Sequence, residues 1–172
     1  FNKNVKNHRI NSYDQKIKQF KKLKLDFLIL IKFNKKFSSL TAESFVKDII
    51  HKKINCKYLY VSKNFKFGNK RKGSVQKLKK FENKLKFKNI ITKPYKKKNK
   101  IISSTYIRKK IQGGKITEVN KLLNRQWSVE GKVVQGKKRG RKIGFPTCNL
   151  RLHEYVIPKL GVYSVKVKSV HF

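Results

Sequence analysis

The amino-acid sequence predicts an α/β domain with a parallel sheet, followed by a region of antiparallel β structure. Two short apolar segments, LDFLILIKF at Leu25–Phe33 and KYLYV at Lys57–Val61, have the length and the β-forming side chains of buried strands. Between them, Phe37–Lys53 places apolar residues at helical spacing. From Trp127 onwards apolar and polar residues alternate, which is typical of antiparallel strands. The strand–helix–strand order is that of a parallel α/β sheet.

The change in periodicity predicts a domain boundary near Gln126. The first domain is then 1–126 and the second is 127–172. In the second domain, one alternating segment begins at Trp127 and another begins at Gly161, with a glycine-rich loop between them. We therefore expect antiparallel strands on both sides of that loop.

A basic, glycine-containing loop, Ser62–Ser74 (SKNFKFGNKRKGS), follows the strand expected at Lys57–Val61. A helix at Ser74–Lys86 and a third strand at Phe87–Thr92 are expected next. Open α/β sheets bind ligands in the loops beyond the carboxyl ends of their strands. The loop is therefore a candidate binding site.

Two short helices are expected between this strand and the domain boundary. The segment ISST at Ile102–Thr105 supplies hydroxyls and backbone N–H groups at the start of the first helix, and Gly113 and Gly114 end it. The second helix is expected at Ile116–Leu123. A weaker helical pattern covers 17–23, near the beginning of the chain.

The formal net charge of +39 at pH 7 is the strongest feature of the composition. Such a charge is typical of partners of nucleic acid or of an anionic membrane. Only seven of the 47 basic residues are arginine, however, and arginine is the side chain favoured for phosphate and base-edge recognition. The abundant Lys, Asn, Ile and Phe all have codons rich in A and T, so base composition explains much of the charge. We expect no specific nucleic-acid partner, and a basic RNA- or DNA-binding module is the alternative.

The chain begins at Phe1 and contains no methionine. Its first residues lack the apolar run of a secretory leader, so we expect a sequence truncated at its 5′ end. The longest apolar run, Phe27–Ile31, has five residues, whereas about 20 are needed to cross a bilayer. Cys56 and Cys148 stand far apart in no metal or redox pattern, which favours a reducing compartment. We expect a soluble cytoplasmic protein with no membrane partner.

Three motifs in the chain resemble the signature motifs of one known protein family. Val61–Val75 (VSKNFKFGNKRKGSV) resembles the family's G-x-N/D-F-x-F-G-x-x-R-x-G loop, with Ser62 in place of the first glycine. Ile102–Arg108 (ISSTYIR) resembles the ISST-x-IR signature. Gly136–Leu150 resembles the kinase signature G-x-x-R-G-R-x-x-G-x-P-T-A-N, with Cys148 in place of alanine. The motifs stand in the order that they have in the prokaryotic bifunctional riboflavin kinase/FAD synthetase family, and from them the chain is identified as a member of that family.

The resemblance implies a Rossmann-like nucleotidyltransferase domain that lacks its N-terminal part. It also implies the start of the antiparallel β-barrel of a riboflavin kinase domain that lacks its C-terminal part. The implied reactions are phosphorylation of riboflavin to FMN by ATP and transfer of AMP from a second ATP to FMN, which gives FAD. Mg²⁺ would be needed for both, and the partners would be small molecules: ATP, riboflavin and FMN.

By the same resemblance, the flavin is flanked by Phe65 and Phe67 and receives a polar contact from Asn64. Without the resemblance, two phenylalanines two residues apart are more often core residues. Thr147 and Asn149 offer hard oxygen donors, which suit Mg²⁺ bridging ATP phosphates, and the family uses them in that way.

The ATP phosphates are expected at two places in the chain. A helix N-terminus presents N–H groups and the positive end of its dipole to phosphate, and an arginine one turn later adds a charged contact. Glycines allow a backbone to approach phosphate closely. The residues expected to bind phosphate are Ser103, Ser104, Thr105, Arg108, Gly136, Arg139, Gly140 and Gly144.

The family's catalytic residues are not expected in this chain. The family has an H-x-G-H pair, and no two of His8, His51, His153 and His171 stand in that spacing. The family's kinase glutamate lies well beyond the GVY segment, and Glu154 is too close to the Pro-Thr-x-Asn loop to be its counterpart. The few strands available cannot close a barrel. We therefore expect that the chain on its own aggregates or folds only in part.

Overall fold

The structure is a computed structural model that describes residues 7–152 and 154–169, apart from the side chain of Arg139. The chain divides into two compact units. One unit is Leu28–Ile101, and the other joins Phe1–Phe27 to Ile102–Phe172. Each unit has its own hydrophobic core.

The helices and strands of the described residues follow one another in chain order. They are α1 (Tyr13–Lys22), α2 (Lys35–Ser38), α3 (Ala42–Ser44) with a π-helical continuation (Phe45–Lys53), β1 (Tyr58–Ser62), β2 (Lys66–Phe67), a 3₁₀ turn (Asn69–Arg71), β3 (Gly73–Ser74), α4 (Val75–Leu85), β4 (Lys88–Thr92), β5 (Lys96–Lys97), β6 (Lys100–Ile101), α5 (Ser104–Gln112), α6 (Ile116–Leu123), β7 (Lys132–Val134), α7 (Arg139–Lys142) and β8 (Asn149–Arg151).

The unit Leu28–Ile101 is built around a parallel pair of strands joined by a helix. β1 and β4 pair in parallel, with Tyr58 opposite Lys88 and Ser62 opposite Thr92. α4 connects them and begins at Ser74, whose hydroxyl accepts a hydrogen bond from the N–H of Lys77. The sequence predictions of both strands, of α4 and of the parallel arrangement are confirmed.

The core of this unit lies between the helices and the strand pair. The side chains of Val46 and Leu78 are fully buried there. Val46 lies on the π-helical stretch, and the helix before it is capped by Thr41, whose Oγ1 accepts a hydrogen bond from the N–H of Ser44 at 3.0 Å. The remaining buried members of this core are Ile50, Val61, Phe67, Val75 and Phe87.

The prediction of a strand at Leu25–Phe33 is wrong. These residues form no strand, and their apolar side chains are exposed, with Phe27 at 87% and Ile29 at 60%. A buried parallel strand needs hydrogen-bonding neighbours and a covering layer, and among the described strands β1 pairs only with β4. The apolar composition makes the segment suitable for burial. Burial also requires a neighbouring strand and a covering layer, which composition alone does not indicate.

The second unit packs α5 and α6 around a small apolar core. Ile107 and Ile111 from α5 meet Val119 from α6, and Val156 completes the cluster at 1% exposure. Gly113 and Gly114 end α5, as the sequence predicts. α1 begins in a capping box in which the Ser12 hydroxyl and the Gln15 side chain each accept the other residue's N–H.

Antiparallel structure in this unit is limited to one pair of strands. β7 pairs with β8, with Val133 opposite Leu150. The prediction of a further strand from Gly161 is not met up to residue 169, where Val162 and Val165 are exposed. The described strands form only two-stranded sheets and no barrel. Within the described residues, no helix combines the length and apolarity that crossing a membrane requires.

Candidate functional site

The loop after β1 surrounds an open cavity of about 410 Å³ in the unit Leu28–Ile101. Asn64 is exposed beside it, and Phe65, which also lines it, is half-buried. Lysine and arginine side chains contribute positive charge to the wall. The other residues that line this cavity are Lys63, Lys66, Arg71, Ser74, Val75 and Gln76.

Phe67 differs from Phe65 in its surroundings. It is only 6% exposed and belongs to the core of its unit. Its ring lies 5.5 Å from the ring of Phe65 with an angle of 20° between their planes, which is a stacked arrangement. Its ring centroid also lies 5.5 Å from that of Phe45. Phe65 therefore lines the cavity, whereas Phe67 supports Phe65 from the core.

Two glycines give this loop its compact shape. Gly68 has a φ of +71°, and a Cβ at this position would lie 2.6 Å from the backbone nitrogen of Ala42. A Cβ at Gly73 would lie 2.6 Å from the Phe67 ring. The neighbouring Lys70 and Arg71 also have positive φ angles, of 50° and 57°. A non-glycine residue in this conformation costs free energy, and such residues cluster at functional sites.

The ISST-x-IR segment lies in the second unit, at the N-terminus of α5. Ser103 caps this helix, because its Oγ accepts a hydrogen bond from the N–H of Tyr106 at 3.2 Å. Ser104 and Thr105 follow in the first turn and are exposed. Arg108 is half-buried, and its Nε donates a hydrogen bond of 2.6 Å to the carbonyl oxygen of His8. Sequence reasoning missed this contact, because nothing in the ISST-x-IR pattern points to residue 8.

The glycine-rich loop of the kinase motif lies against Thr147 and Asn149. A Cβ at Gly136 would collide with the side-chain amide of Asn149. A Cβ at Gly140 would collide with the carbonyl oxygen of Phe145 and would lie 3.0 Å from the Cγ2 of Thr147. These two glycines therefore allow the loop to pack closely on itself, a role that the sequence did not indicate.

The remaining predicted residues of this loop are placed as follows. Gly144 has a φ of +80° with no atom within 4 Å of a Cβ built there, so it is needed for its backbone conformation rather than for space. Thr147 and Asn149 are exposed. The side chain of Arg139 lies outside the part of the chain that the structure describes.

Hydroxyl and amide oxygens are the donors that this loop offers to a cation. Within the described residues, no three His, Cys, Asp or Glu side chains come together as a metal-binding group. The exposed oxygens of Thr147 and Asn149 fit a hard cation such as Mg²⁺, which takes only a few protein ligands when phosphate supplies the others.

The two free cysteines differ in their surroundings. Burial raises the pKa of the Cys56 thiol, which also donates a hydrogen bond to the carbonyl oxygen of Tyr58 at 3.1 Å. Cys148 is exposed and unpaired with another cysteine.

Comparison with known families matches the chain in two parts. A family model for FAD synthetase matches residues 1–106, and a model for riboflavin kinase matches residues 123–171. The first match alone covers more than half of the chain.

Several curated relatives carry the same name, bifunctional riboflavin kinase/FMN adenylyltransferase. The protein from Buchnera aphidicola subsp. Schizaphis graminum is 42% identical over 160 residues, which are 92% of this chain and 51% of the relative. The protein from Haemophilus influenzae is 34% identical over 160 residues, and that from Escherichia coli K12 is 31% identical over 159. The chain spans about half the length of the curated relatives it matches.

A solved structure has the same fold as the matched part. It is a crystal structure described as a macrolide-efflux protein from Streptococcus pneumoniae, with a TM-score of 0.76 and 34% identity. The match covers 90% of this chain and 49% of that one. With both family models and the named relatives in agreement, the chain belongs to the FAD synthetase family and continues into a segment that matches the riboflavin kinase model.

Proposed function

We propose that this chain works in flavin biosynthesis, in a protein that phosphorylates riboflavin to FMN and transfers AMP from ATP to FMN to give FAD. The observation that carries the proposal is the presence of three solvent-accessible motif regions in the family's order. These are the loop after β1, the N-terminus of α5 and the glycine-rich loop before β8. ATP and riboflavin are the substrates in this proposal, and FMN is both a product and a substrate.

The N-terminus of α5 binds ATP phosphates in this proposal. Ser104 and Thr105 lie exposed in the first turn, where helix N–H groups are unpaired and the dipole is positive. The Nε of Arg108 is engaged by His8, so its terminal Nη groups are the ones available for phosphate. Such charge positioning is the main means of catalysis in phosphate chemistry.

The loop after β1 binds the flavin in this proposal. Phe65 contacts the ring system from the cavity wall, and Asn64 supplies a polar contact at the edge. Phe67 acts indirectly, since its ring is buried and stacks on Phe65. Lys63 and Arg71 provide positive charge for the phosphate of FMN.

The glycine-rich loop belongs to the kinase reaction in this proposal. Thr147 and Asn149 hold Mg²⁺, which neutralises phosphate charge when ATP is bound. Gly136, Gly140 and Gly144 bring the loop's backbone towards the phosphates, and Arg139 is assigned to them by resemblance. The close packing of Gly136 on Asn149 supports a shared role for the loop and the oxygen donors.

We further propose that β1 and β4 belong to a Rossmann-like sheet and that β7 and β8 begin a β-barrel. The parallel β1–α4–β4 connection supports the first assignment, and the antiparallel pairing of β7 with β8 supports the second. The domain boundary near Gln126 is kept in this proposal. It falls close to the start of the riboflavin kinase match at residue 123.

Titration of FMN fluorescence with the chain tests the flavin site. We expect the chain to quench FMN fluorescence and Phe65→Ala to weaken FMN binding by about five- to tenfold, since one aromatic contact in a stacking site is worth about 1–1.5 kcal/mol. Phe27→Ala is the matched control, because Phe27 is 87% exposed and lies outside the loop.

Equal loss of FMN affinity in the two variants, or no binding of FMN by the unsubstituted chain, would argue against the flavin site. The alternative of a basic RNA- or DNA-binding module is not supported by the family matches or by the relatives.

A further inference from the structure

The guanidinium of Arg108 is held by the backbone rather than by another side chain. Its Nε donates to the carbonyl oxygen of His8 across 100 positions of sequence, at 2.6 Å. A hydrogen bond of this kind fixes the plane of the guanidinium and therefore the direction in which its Nη groups point. The position of the His8 carbonyl thus decides where Arg108 can meet a phosphate.

Residues after the predicted domain boundary hold the His8–Ile10 segment in place. Arg9 forms a parallel bridge with Tyr155, in which the N–H of Arg9 donates to Glu154 and the N–H of Val156 donates to Arg9, both at 2.8 Å. Arg9 and Glu154 also form a side-chain ion pair. The indole Nε1 of Trp127 donates to the carbonyl oxygen of Ile10 at 2.8 Å.

The same residues are anchored in the core that carries α5. Val156 is 1% exposed and packs with Ile107 and Ile111, which flank Arg108 on this helix. The hydroxyl of Tyr155 donates to Oε1 of the buried Gln15 at 3.1 Å. Buried, hydrogen-bonded groups are held rigidly, so Tyr155 and Val156 keep the neighbouring His8–Ile10 backbone in one position.

We infer that Trp127, Tyr155 and Val156 are positioning residues for Arg108, acting through the backbone of His8–Ile10. The inference rests on the proposed function of Arg108 in binding ATP phosphates. Its consequence is that a substitution in the part that matches riboflavin kinase weakens phosphate binding at the N-terminus of α5.

Calorimetric titration of the chain with Mg-ATP tests this inference. Trp127→Phe keeps an aromatic ring but removes the N–H that holds Ile10. We expect it to raise the Kd for ATP by about two- to tenfold, the usual effect of one hydrogen bond. Tyr163→Phe is the matched control, because it also removes a hydrogen bond after the boundary, from its hydroxyl to the carbonyl oxygen of Lys159 at 2.6 Å. We expect this control to leave the Kd unchanged.

A double-mutant cycle with Arg108→Gln separates positioning from general destabilisation. Trp127→Phe should have no further effect once Arg108 is replaced. In NMR spectra, Trp127→Phe should also speed the hydrogen exchange of the Arg108 Nε–H, whereas Tyr163→Phe should not. If Trp127→Phe unfolds the chain, Tyr155→Phe takes its place with the same expectations.

Each outcome bears on one of the two claims. If Arg108→Gln weakens ATP binding but Trp127→Phe does not, the positioning inference is wrong and the proposed phosphate site stands. The same conclusion follows if Trp127→Phe weakens binding equally with and without Arg108. If Arg108→Gln leaves the Kd unchanged, or if the unsubstituted chain binds no ATP, the phosphate site and the inference both fail.

Discussion

At the scale of single residues, the size of each side chain determines how the loop after β1 packs. Gly73 lies opposite Phe67 in the short β2–β3 pair, and the absence of a Cβ lets the Phe67 ring lie over it. Phe67 in turn stacks on Phe65, which lines the proposed flavin cavity. The family motif includes both aromatic residues, but only the structure distinguishes the buried one from the accessible one.

Gly73→Ala is expected to lower the free energy of unfolding by about 1–3 kcal/mol, because the added methyl group overlaps the Phe67 ring. Urea denaturation measures the loss. Gly113→Ala is the control, since a Cβ there comes no closer than 3.4 Å to another atom. A loss at Gly113 as large as that at Gly73 would contradict the packing described for the loop.

The two cysteines are expected to differ in reactivity. The thiolate is the reactive form, and burial raises the pKa of the Cys56 thiol, so less of it is ionised at a given pH. Iodoacetamide at pH 8 should therefore modify the exposed Cys148 first, and modification of Cys56 should accelerate only at higher pH. Mass spectrometry of the chain and of Cys148→Ser follows both sites. Equal rates at pH 8 would refute this ordering.

At the scale of helices and strands, the sequence predicts correctly those helices whose ends are marked by capping residues or glycine. α4 has a serine cap and an apolar face, and α5 has a serine cap and a glycine end, so sequence and structure agree on both. Leu25–Phe33 was mispredicted because apolar β-forming residues indicate a strand only when a neighbouring strand is present to pair with them. The same reason applies to the residues after Gly161.

Leu30→Lys is expected to change the free energy of unfolding by less than about 0.5 kcal/mol, because Leu30 is 57% exposed. It should also reduce aggregation, since it interrupts an exposed apolar segment. Leu78→Ala, in the fully buried part of α4, should cost about 2–5 kcal/mol in the same denaturation experiment. A large loss of unfolding free energy in Leu30→Lys would contradict the exposed position of Leu30 and would favour the buried strand that the sequence predicts.

At the scale of the whole molecule, the segment that matches riboflavin kinase shares a core with α5. Val156, from the segment that matches riboflavin kinase, is buried against Ile107 and Ile111 of α5. The boundary near Gln126 stays a prediction, since periodicity reports only local structure. Periodicity does not indicate that Ile107 and Val156 belong to the same core.

Val156→Ala is expected to destabilise α5 by about 2 kcal/mol through the cavity that it leaves. Hydrogen exchange of the Ile107 and Ile111 amides should accelerate, while exchange of α4 amides, in the other unit, should not change. Unchanged exchange in α5 would mean that the region after Gln126 folds independently.

The candidate site residues can be named from sequence because each motif is local, and their roles in binding stay predictions. Phe65, Ser104, Thr105, Thr147 and Asn149 were all named from short patterns, and the structure leaves each of them at least partly accessible to solvent. The hydrogen bond between Arg108 and His8 was not predicted, because it joins residues that lie 100 positions apart in sequence and depends on the tertiary fold.

The most direct measurement of the central claim is product formation from riboflavin and Mg-ATP, followed by chromatography. It should be made on this chain and on a chain extended to the full length of its Buchnera relative with that relative's own sequence. We expect the extended protein to make FMN and then FAD, and we expect Thr147→Ala to abolish phosphorylation of riboflavin while FMN supplied directly is still converted to FAD. An extended protein that makes neither FMN nor FAD would contradict the proposed role in flavin biosynthesis.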